Sequence, residues 1–125
     1  MDIESIREYC LTKVAVTEEF PFDDTTLVFK VMGKMFACIS LERPDMLTLK
    51  CDADRAIELR EKYSAIEPAW HFNKKYWNQH HISMLDDSVM IELIDHSYDE
   101  VVKKFSRIKR QELNAFTEEL NTLTE

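Results

Sequence analysis

Three strand-like segments joined by very short connections are the feature that most constrains the fold of this chain. Residues 26–32, 35–41 and 46–51 are rich in apolar and β-branched side chains, and in the first of them Leu27 and Phe29 share one face. A parallel crossover needs roughly a dozen residues or more, which these connections do not supply. The sequence therefore predicts an antiparallel meander.

The two connections carry the residues that tight turns require. Gly33 is the single glycine of the protein, and the Gly33-Lys34 pair lies where a hairpin turn needs a positive backbone φ angle. Arg43-Pro44-Asp45 predicts the second turn. We expect both connections to reverse the chain within a few residues.

Helices are predicted on either side of the meander. Residues 2–13 carry apolar side chains at helical spacing, and residues 14–24, which contain Pro21, are predicted to be a connecting loop. Asp52 is predicted to cap a second helix at about residues 53–63. Each of these helices can bury one apolar face against a sheet.

The most periodic helix is predicted near the carboxyl end, capped by Asp86 or Ser88. Beyond Arg107, further apolar residues at helical spacing predict a C-terminal helical extension, residues 107–125, which can dock on its own domain or on a second subunit. The main apolar stripe of the third helix consists of Met90, Ile94, Tyr98, Val101 and Phe105.

An aromatic-rich segment separates the second and third helices. It predicts two short strands, about residues 68–72 and 76–82, joined by the polar turn Asn73-Lys74-Lys75. Strand alternation places Trp70 and Phe72 on one face, so we expect both to fill the core.

The predicted order is helix, three strands, helix, two strands, helix and a C-terminal helix. Because helices must cover one face of an antiparallel sheet, this order predicts a two-layer α+β domain. We assign residues 1–106 to the domain and 107–125 to the extension.

Bulk composition narrows the compartment and the partners. The 125-residue chain has a formal net charge of −8, which argues against indiscriminate coating of DNA but leaves room for a local basic face. No apolar run approaches the roughly 18 residues that span a bilayer, and the N-terminus has no apolar signal core. With three scattered cysteines, this predicts a cytoplasmic protein with no membrane association.

Five separated motifs carry a resemblance to a known family. The motifs are Thr17–Phe22, Val28–Ala37, Leu49–Asp52, Asn73–Asn78 and Leu93–Tyr98. Their order and spacing resemble the MmcQ/YjbR-like family, small bacterial proteins often labelled DNA-binding and grouped with double-wing folds. The resemblance covers residues 1 to about 106 and implies an α-β(3)-α-β(2)-α fold, a bacterial cytoplasmic protein and no catalytic residues.

The leading hypothesis is therefore a non-enzymatic binding module with nucleic acid as its ligand. Two projecting turns would be the wings, and the candidate nucleic-acid-binding residues are Lys34, Asn73, Lys74, Lys75 and Trp77. The three lysines would contact phosphate, and Trp77 would stack on a base or brace its turn. The structural alternative is that Asn73 bonds its own backbone and Trp77 belongs to the core.

Metal and catalytic sites are not predicted. His80 and His81 are neighbours on a predicted strand and point to opposite faces, so we do not expect them to coordinate the same metal ion. Asp95-His96-Ser97 has the residue types of a hydrolase triad, but successive helical residues do not face one another. No cofactor and no enzymatic activity are expected.

The alternative function is a protein- or peptide-binding module. The order of elements resembles that of bacterial secretion chaperones, at the level of fold analogy alone. The acidic charge and the apolar residues of the 108–125 tail favour this reading, with a protein partner or a second copy of the chain bound through the tail. The local basic residues favour nucleic acid.

Overall fold

The predicted meander lies at the centre of a six-stranded antiparallel sheet in the computed structural model, which describes residues 1–124. The strand order is β1-β2-β3-β4-β6-β5 and every neighbouring pair is antiparallel, so the predicted α+β class is confirmed. Residue 125 of the predicted extension lies outside the described residues. The elements are α1 (Ile3–Leu11), β1 (Val16–Glu19), β2 (Thr26–Val31), β3 (Lys34–Ser40), β4 (Met46–Lys50), α2 (Ala53–Lys62), β5 (Ile66–Pro68), β6 (Trp77–His81), a 3-10 turn (Ile82–Met84), α3 (Asp87–Val102) and α4 (Arg107–Thr124).

One strand occupies part of a predicted loop. Residues 14–24 were predicted to be irregular, but β1 pairs with β2 at the edge of the sheet, from Val16 opposite Val31 to Glu19 opposite Val28. The prediction is wrong there because β1 is polar: its side chains alternate between half-buried and exposed, with no apolar run to reveal it.

The first hairpin turn is shifted by one residue from its predicted place. Val31 pairs with Lys34, so Met32 and Gly33 form the two-residue turn, with φ angles of 47° and 83°. Positive φ at both central residues is the requirement of the hairpin turn that matches strand twist. Lys34 is therefore the first residue of β3 and not part of the turn.

The aromatic segment contains a loop where a strand was predicted. β5 ends at Pro68, so Trp70 and Phe72 lie on the loop that follows, with Trp70 57% exposed and Phe72 half-buried. The prediction that both fill the core is wrong, because the chain turns after Ala69, whose carbonyl accepts the N–H of Phe72 at 3.0 Å. The polar turn is confirmed: Tyr76 N–H donates to the Asn73 carbonyl at 3.0 Å.

The helical layer covers one face of the sheet, with α3 lying over β2, β3 and β4. The predicted apolar stripe of α3 is buried, apart from the half-buried Tyr98. The helix ends at Val102, and α4 begins after a short break, with Leu113 packed into the main core.

Four consecutive residues of α3, at positions 95–98, connect this helix to the rest of the domain. The Asp95 carboxylate accepts the hydroxyl of Tyr9 at 2.6 Å, which joins α3 to α1. The His96 ring accepts the N–H of Asp52, the residue that caps α2, at 3.1 Å. The Tyr98 hydroxyl donates to the carbonyl of residue 14 at 2.7 Å, beyond the end of α1.

Ser97 makes the contact to the sheet. Its buried hydroxyl donates to the Phe36 carbonyl at 2.5 Å and accepts the Lys50 N–H at 2.9 Å. The regular pairing of β3 with β4 ends one step earlier, at Ala37 opposite Leu49. The hydroxyl therefore satisfies two backbone groups at the point where the strands separate, and the three side chains of Asp95-His96-Ser97 serve three different elements.

We predict that Ser97→Ala lowers the free energy of unfolding by about 2–3 kcal/mol, because two backbone groups lose their hydrogen-bond partner. Urea denaturation measures the change, and Ser88→Ala at an exposed position of the same helix is the matched control. Equal stability of the two variants would contradict the structural role of this hydroxyl.

A second prediction concerns His80, whose ring nitrogen bonds the Leu47 carbonyl at 2.9 Å. Burial lowers the pKa of His80 from 6.5 to about 4, so between these values the folded protein binds fewer protons than the unfolded chain. Stability should be complete above about pH 6.5 and fall by about 3 kcal/mol as pH drops toward 4.

Comparing His80→Gln with the wild type by urea denaturation at a series of pH values isolates this contribution. The variant should lose much of the dependence between pH 7 and pH 4, whereas His71→Gln at an exposed loop position should keep it. An unchanged dependence in His80→Gln would refute the assignment.

Candidate anion-binding groove

A groove of about 460 Å³ lies at the end of the sheet where β3 and β6 begin and β4 and α3 end. Antiparallel pairing brings Lys50 opposite Trp77, and the residues that follow α3 close the remaining side. The lining residues are Lys34, Met35, Lys50, Trp77, Val101, Lys104 and Phe105.

The groove concentrates positive charge on an otherwise acidic protein. Burial is the main cause that lowers the pKa of Lys50, and the neighbouring ammonium group of Lys104 is the second. Glu100 opposes this shift, but its carboxylate is already bound to Lys103. Within residues 1–124, none of the ion pairs includes Lys34, Lys50 or Lys104.

Lysines beside the last turn of a helix often serve only to complement its dipole. Just past the end of α3, Arg110 of α4 donates to the carbonyls of Lys103 at 2.6 Å and Phe105 at 3.2 Å, so a guanidinium group already lies at this helix end. Lys50 and Lys104 form none of the described ion pairs, which leaves their ammonium groups available to an anion.

Aromatic rings lie among the ammonium groups. Lys50 Nζ is 6.0 Å from the centre of the Trp77 ring, which is half-buried and leaves part of its surface to the groove. The Tyr76 ring lies between Lys75 Nζ at 5.4 Å and Lys104 Nζ at 5.0 Å. Such contacts hold lysine side chains in place without neutralising them.

The structure brings together some of the residues predicted from the sequence. Lys34 and Trp77 line the groove, and Lys75 reaches its margin through Tyr76. Lys74 does not line it: its Nζ lies 4.4 Å from the Trp70 ring.

Asn73 has a structural task in this region. Its side-chain oxygen accepts the Lys75 N–H at 3.1 Å, which stabilises the turn before β6 in the way the sequence suggested. No ligand contact is needed to explain its presence there.

Sequence reasoning missed Lys50 and Lys104. Lys50 is the last residue of a strand, and Lys104 follows a helix, where cations are expected simply because they complement the helix dipole. The signal that joins them is the pairing of β4 with β6, which residue patterns alone did not specify.

The groove is suited to binding. It offers ammonium groups, apolar side chains and an indole ring.

The three cysteines are buried, and burial raises the pKa of Cys10 to about 12 and those of Cys38 and Cys51 to about 11, so they are protonated thiols at neutral pH.

The described residues lack two kinds of feature. Across residues 1–124, no group of three His, Cys, Asp or Glu side chains is arranged to hold a metal ion. None of the helices in that part of the chain has the length and apolar character needed to cross a membrane.

Solved structures show the same fold. A Deinococcus radiodurans protein with a DUF419 domain is 37% identical, with a TM-score of 0.83 over 90% of this chain and 87% of that one. A Pseudomonas syringae protein is 23% identical, with a TM-score of 0.67 over 78% of this chain and 96% of that one, and shows likeness of fold alone.

Sequence comparison identifies the family. The Escherichia coli proteins named uncharacterized protein YjbR, from strains K12 and O157:H7, are each 29% identical over 113 residues, which cover 89% of this chain and 96% of the relative. The YjbR family model matches residues 11–100. The chain therefore belongs to the YjbR family.

Proposed function

We propose that this protein is a non-enzymatic binding module whose groove takes the phosphate backbone of single-stranded nucleic acid, with a base against Trp77. The observation that carries the proposal is the group formed by Lys34, Lys50 and Lys104, which lie beside an indole ring and outside the described ion pairs. An ammonium group is a compact charge that contacts phosphate without demanding one orientation.

The arrangement favours a single strand over a duplex. Stacking on an aromatic side chain requires an unpaired base, and each such contact contributes roughly 1–3 kcal/mol. The Trp77 ring lies within the groove beside Lys50, so a base and its phosphate could be held together there. DNA is the leading form because proteins of the family that this sequence resembles are often labelled DNA-binding.

The net charge of the protein affects the expected affinity for nucleic acid. A net charge of −8 repels nucleic acid at long range, so binding depends on the local groove and is strongest at low salt. Three phosphate contacts predict that the logarithm of affinity falls with the logarithm of salt concentration with a slope of about −2 for a single strand.

We predict that Lys50→Gln with Lys104→Gln weakens binding of a fluorescein-labelled 12-nucleotide single strand about tenfold at low salt. The salt slope should become shallower by about 1.4, because two of three phosphate contacts are lost. Fluorescence anisotropy at several salt concentrations measures both quantities.

A control pair removes the same charge elsewhere. Lys62→Gln with Arg107→Gln, on α2 and α4, should leave the slope of the wild type. The proposal fails if the wild-type protein binds no single strand at low salt, or if both pairs of substitutions weaken binding equally.

As a second candidate function, we propose that α4 pairs with α4 of a second copy. Exposed apolar residues on this helix favour it: Phe116 and Leu120 are each 48% exposed and Leu123 is 82% exposed. The beginning of the helix is basic, with Lys109 and Arg110, whereas acids follow further along. An antiparallel pair would bring the basic part of each helix against the acidic part of the other.

Sedimentation of the full chain tests this pairing. We predict a dimer at micromolar concentration that Phe116→Glu with Leu120→Glu converts to a monomer, since these substitutions bury charge in the shared face. Ile57→Glu, at an exposed apolar position on α2, should remain dimeric. A monomeric wild-type protein at all accessible concentrations would exclude the pairing.

A further inference from the structure

The face of the sheet opposite the helices holds a second cavity, of about 510 Å³, that the proposed nucleic-acid groove does not use. A row of paired residues crosses this face, with Cys38 opposite Thr48 and Thr48 opposite Gln79. Cys38 is only 6% exposed and Thr48 only 8%, although the helical layer lies on the other side. Loops therefore enclose the floor of the cavity.

Two aromatic rings stand at its margins. Phe22 comes from the connection between β1 and β2 and is 71% exposed, and Phe72 comes from the loop before β6. A large apolar ring that stays exposed contributes no burial free energy to folding. Rings at opposite margins of a cavity can both contact a planar ligand.

Some polar groups of the cavity already have hydrogen-bond partners within the protein, and others do not. Asp23 accepts the backbone N–H groups of Thr25 at 2.9 Å and Thr26 at 2.6 Å, and these bonds hold its pKa low. Among the described side-chain contacts, by contrast, neither the exposed Arg43 guanidinium nor the hydroxyl of nearly buried Thr48 takes part in a hydrogen bond or ion pair.

Gln79 adds an oriented acceptor. Its side-chain nitrogen donates to the Glu67 carboxylate, which leaves the amide oxygen available to the cavity. The lining thus combines a free cation, a free hydroxyl group and an amide oxygen with two rings. Ligand sites of this volume usually have such a mixture of apolar walls and a few polar groups.

We propose that this cavity binds a small aromatic anion: a planar ring between Phe22 and Phe72, with its carboxylate on Arg43. Guanidinium and carboxylate groups match in geometry and form two parallel hydrogen bonds. Asp23 does not attract a cation as strongly as a free carboxylate would, because backbone donors already occupy it. The Thr48 hydroxyl supplies a polar contact at the floor.

The position of Phe72 gives the site a built-in reporter. Phe72 lines this cavity, and Trp77 lines the groove formed by Lys34, Lys50 and Lys104. The centres of the two rings are 5.3 Å apart. A ligand held against Phe72 should therefore change the fluorescence of Trp77. Replacing Trp70 with Phe removes the other tryptophan of the chain and assigns the signal to Trp77.

The test is a titration of the full chain with 2-naphthoate, followed by calorimetry and by amide NMR shifts. We expect one site, with the largest shifts near Thr48 and Gln79. Affinity should fall about tenfold in Arg43→Gln and in Phe22→Ala, which alter exposed side chains and leave the core intact. The neutral 2-naphthalenemethanol and the non-aromatic cyclohexanecarboxylate should each bind about tenfold more weakly.

The controls separate this site from the nucleic-acid groove. Lys50→Gln with Lys104→Gln should leave 2-naphthoate binding unchanged, so failure of either proposal is distinguishable from failure of the other. The inference is overturned if 2-naphthoate shows no saturable binding at millimolar concentration, if its neutral analogue binds equally well, or if Arg43→Gln and Phe22→Ala have no effect.

Discussion

One buried hydroxyl group determines how the helical layer meets the sheet. Ser97 occupies the gap where β3 and β4 separate, and it bonds the Phe36 carbonyl and the Lys50 N–H at once. Ser97 is fully buried, so losing its hydroxyl would remove the hydrogen-bond partner of both backbone groups. The neighbours Asp95 and His96 fix α1 and the start of α2. A single turn of α3 thereby sets the positions of three other elements.

The lysine groove depends on the same contact. Ser97 holds the backbone of Lys50, and pairing with β6 places the Lys50 side chain beside Trp77. The turn after α3 then brings Lys104 to the groove, and Arg110 of α4 bonds two backbone carbonyls of that turn. A framework built from apolar packing and a few buried hydrogen bonds thus gathers three like charges at one end of the sheet. Burial lowers the pKa of Lys50 most and repulsion from Lys104 lowers it further, so a bound anion would stabilise the charged form of Lys50.

Local patterns predicted most of the fold and only part of the site. The meander, the helix cap at Asp52 and the stripe of α3 follow from periodicity and turn chemistry, which are local in the chain. Edge strand β1 was not predicted because its residues are polar. Trp70 was wrongly assigned to a strand because β5 ends at Pro68. Lys34 and Trp77 could be named from motifs. Lys50 and Lys104 could not, because their proximity is a property of tertiary packing.

We propose that this groove, assembled by α3 and the strand ends, receives phosphate. The most direct measurement is the amide NMR spectrum of the full chain during titration with an unlabelled 12-nucleotide single strand. We predict that shifts concentrate at residues 34, 50, 77 and 104 and disappear as salt is raised. Shifts that are absent, or that concentrate on α4 or on the cavity lined by Phe22 and Thr48, would contradict phosphate binding in this groove.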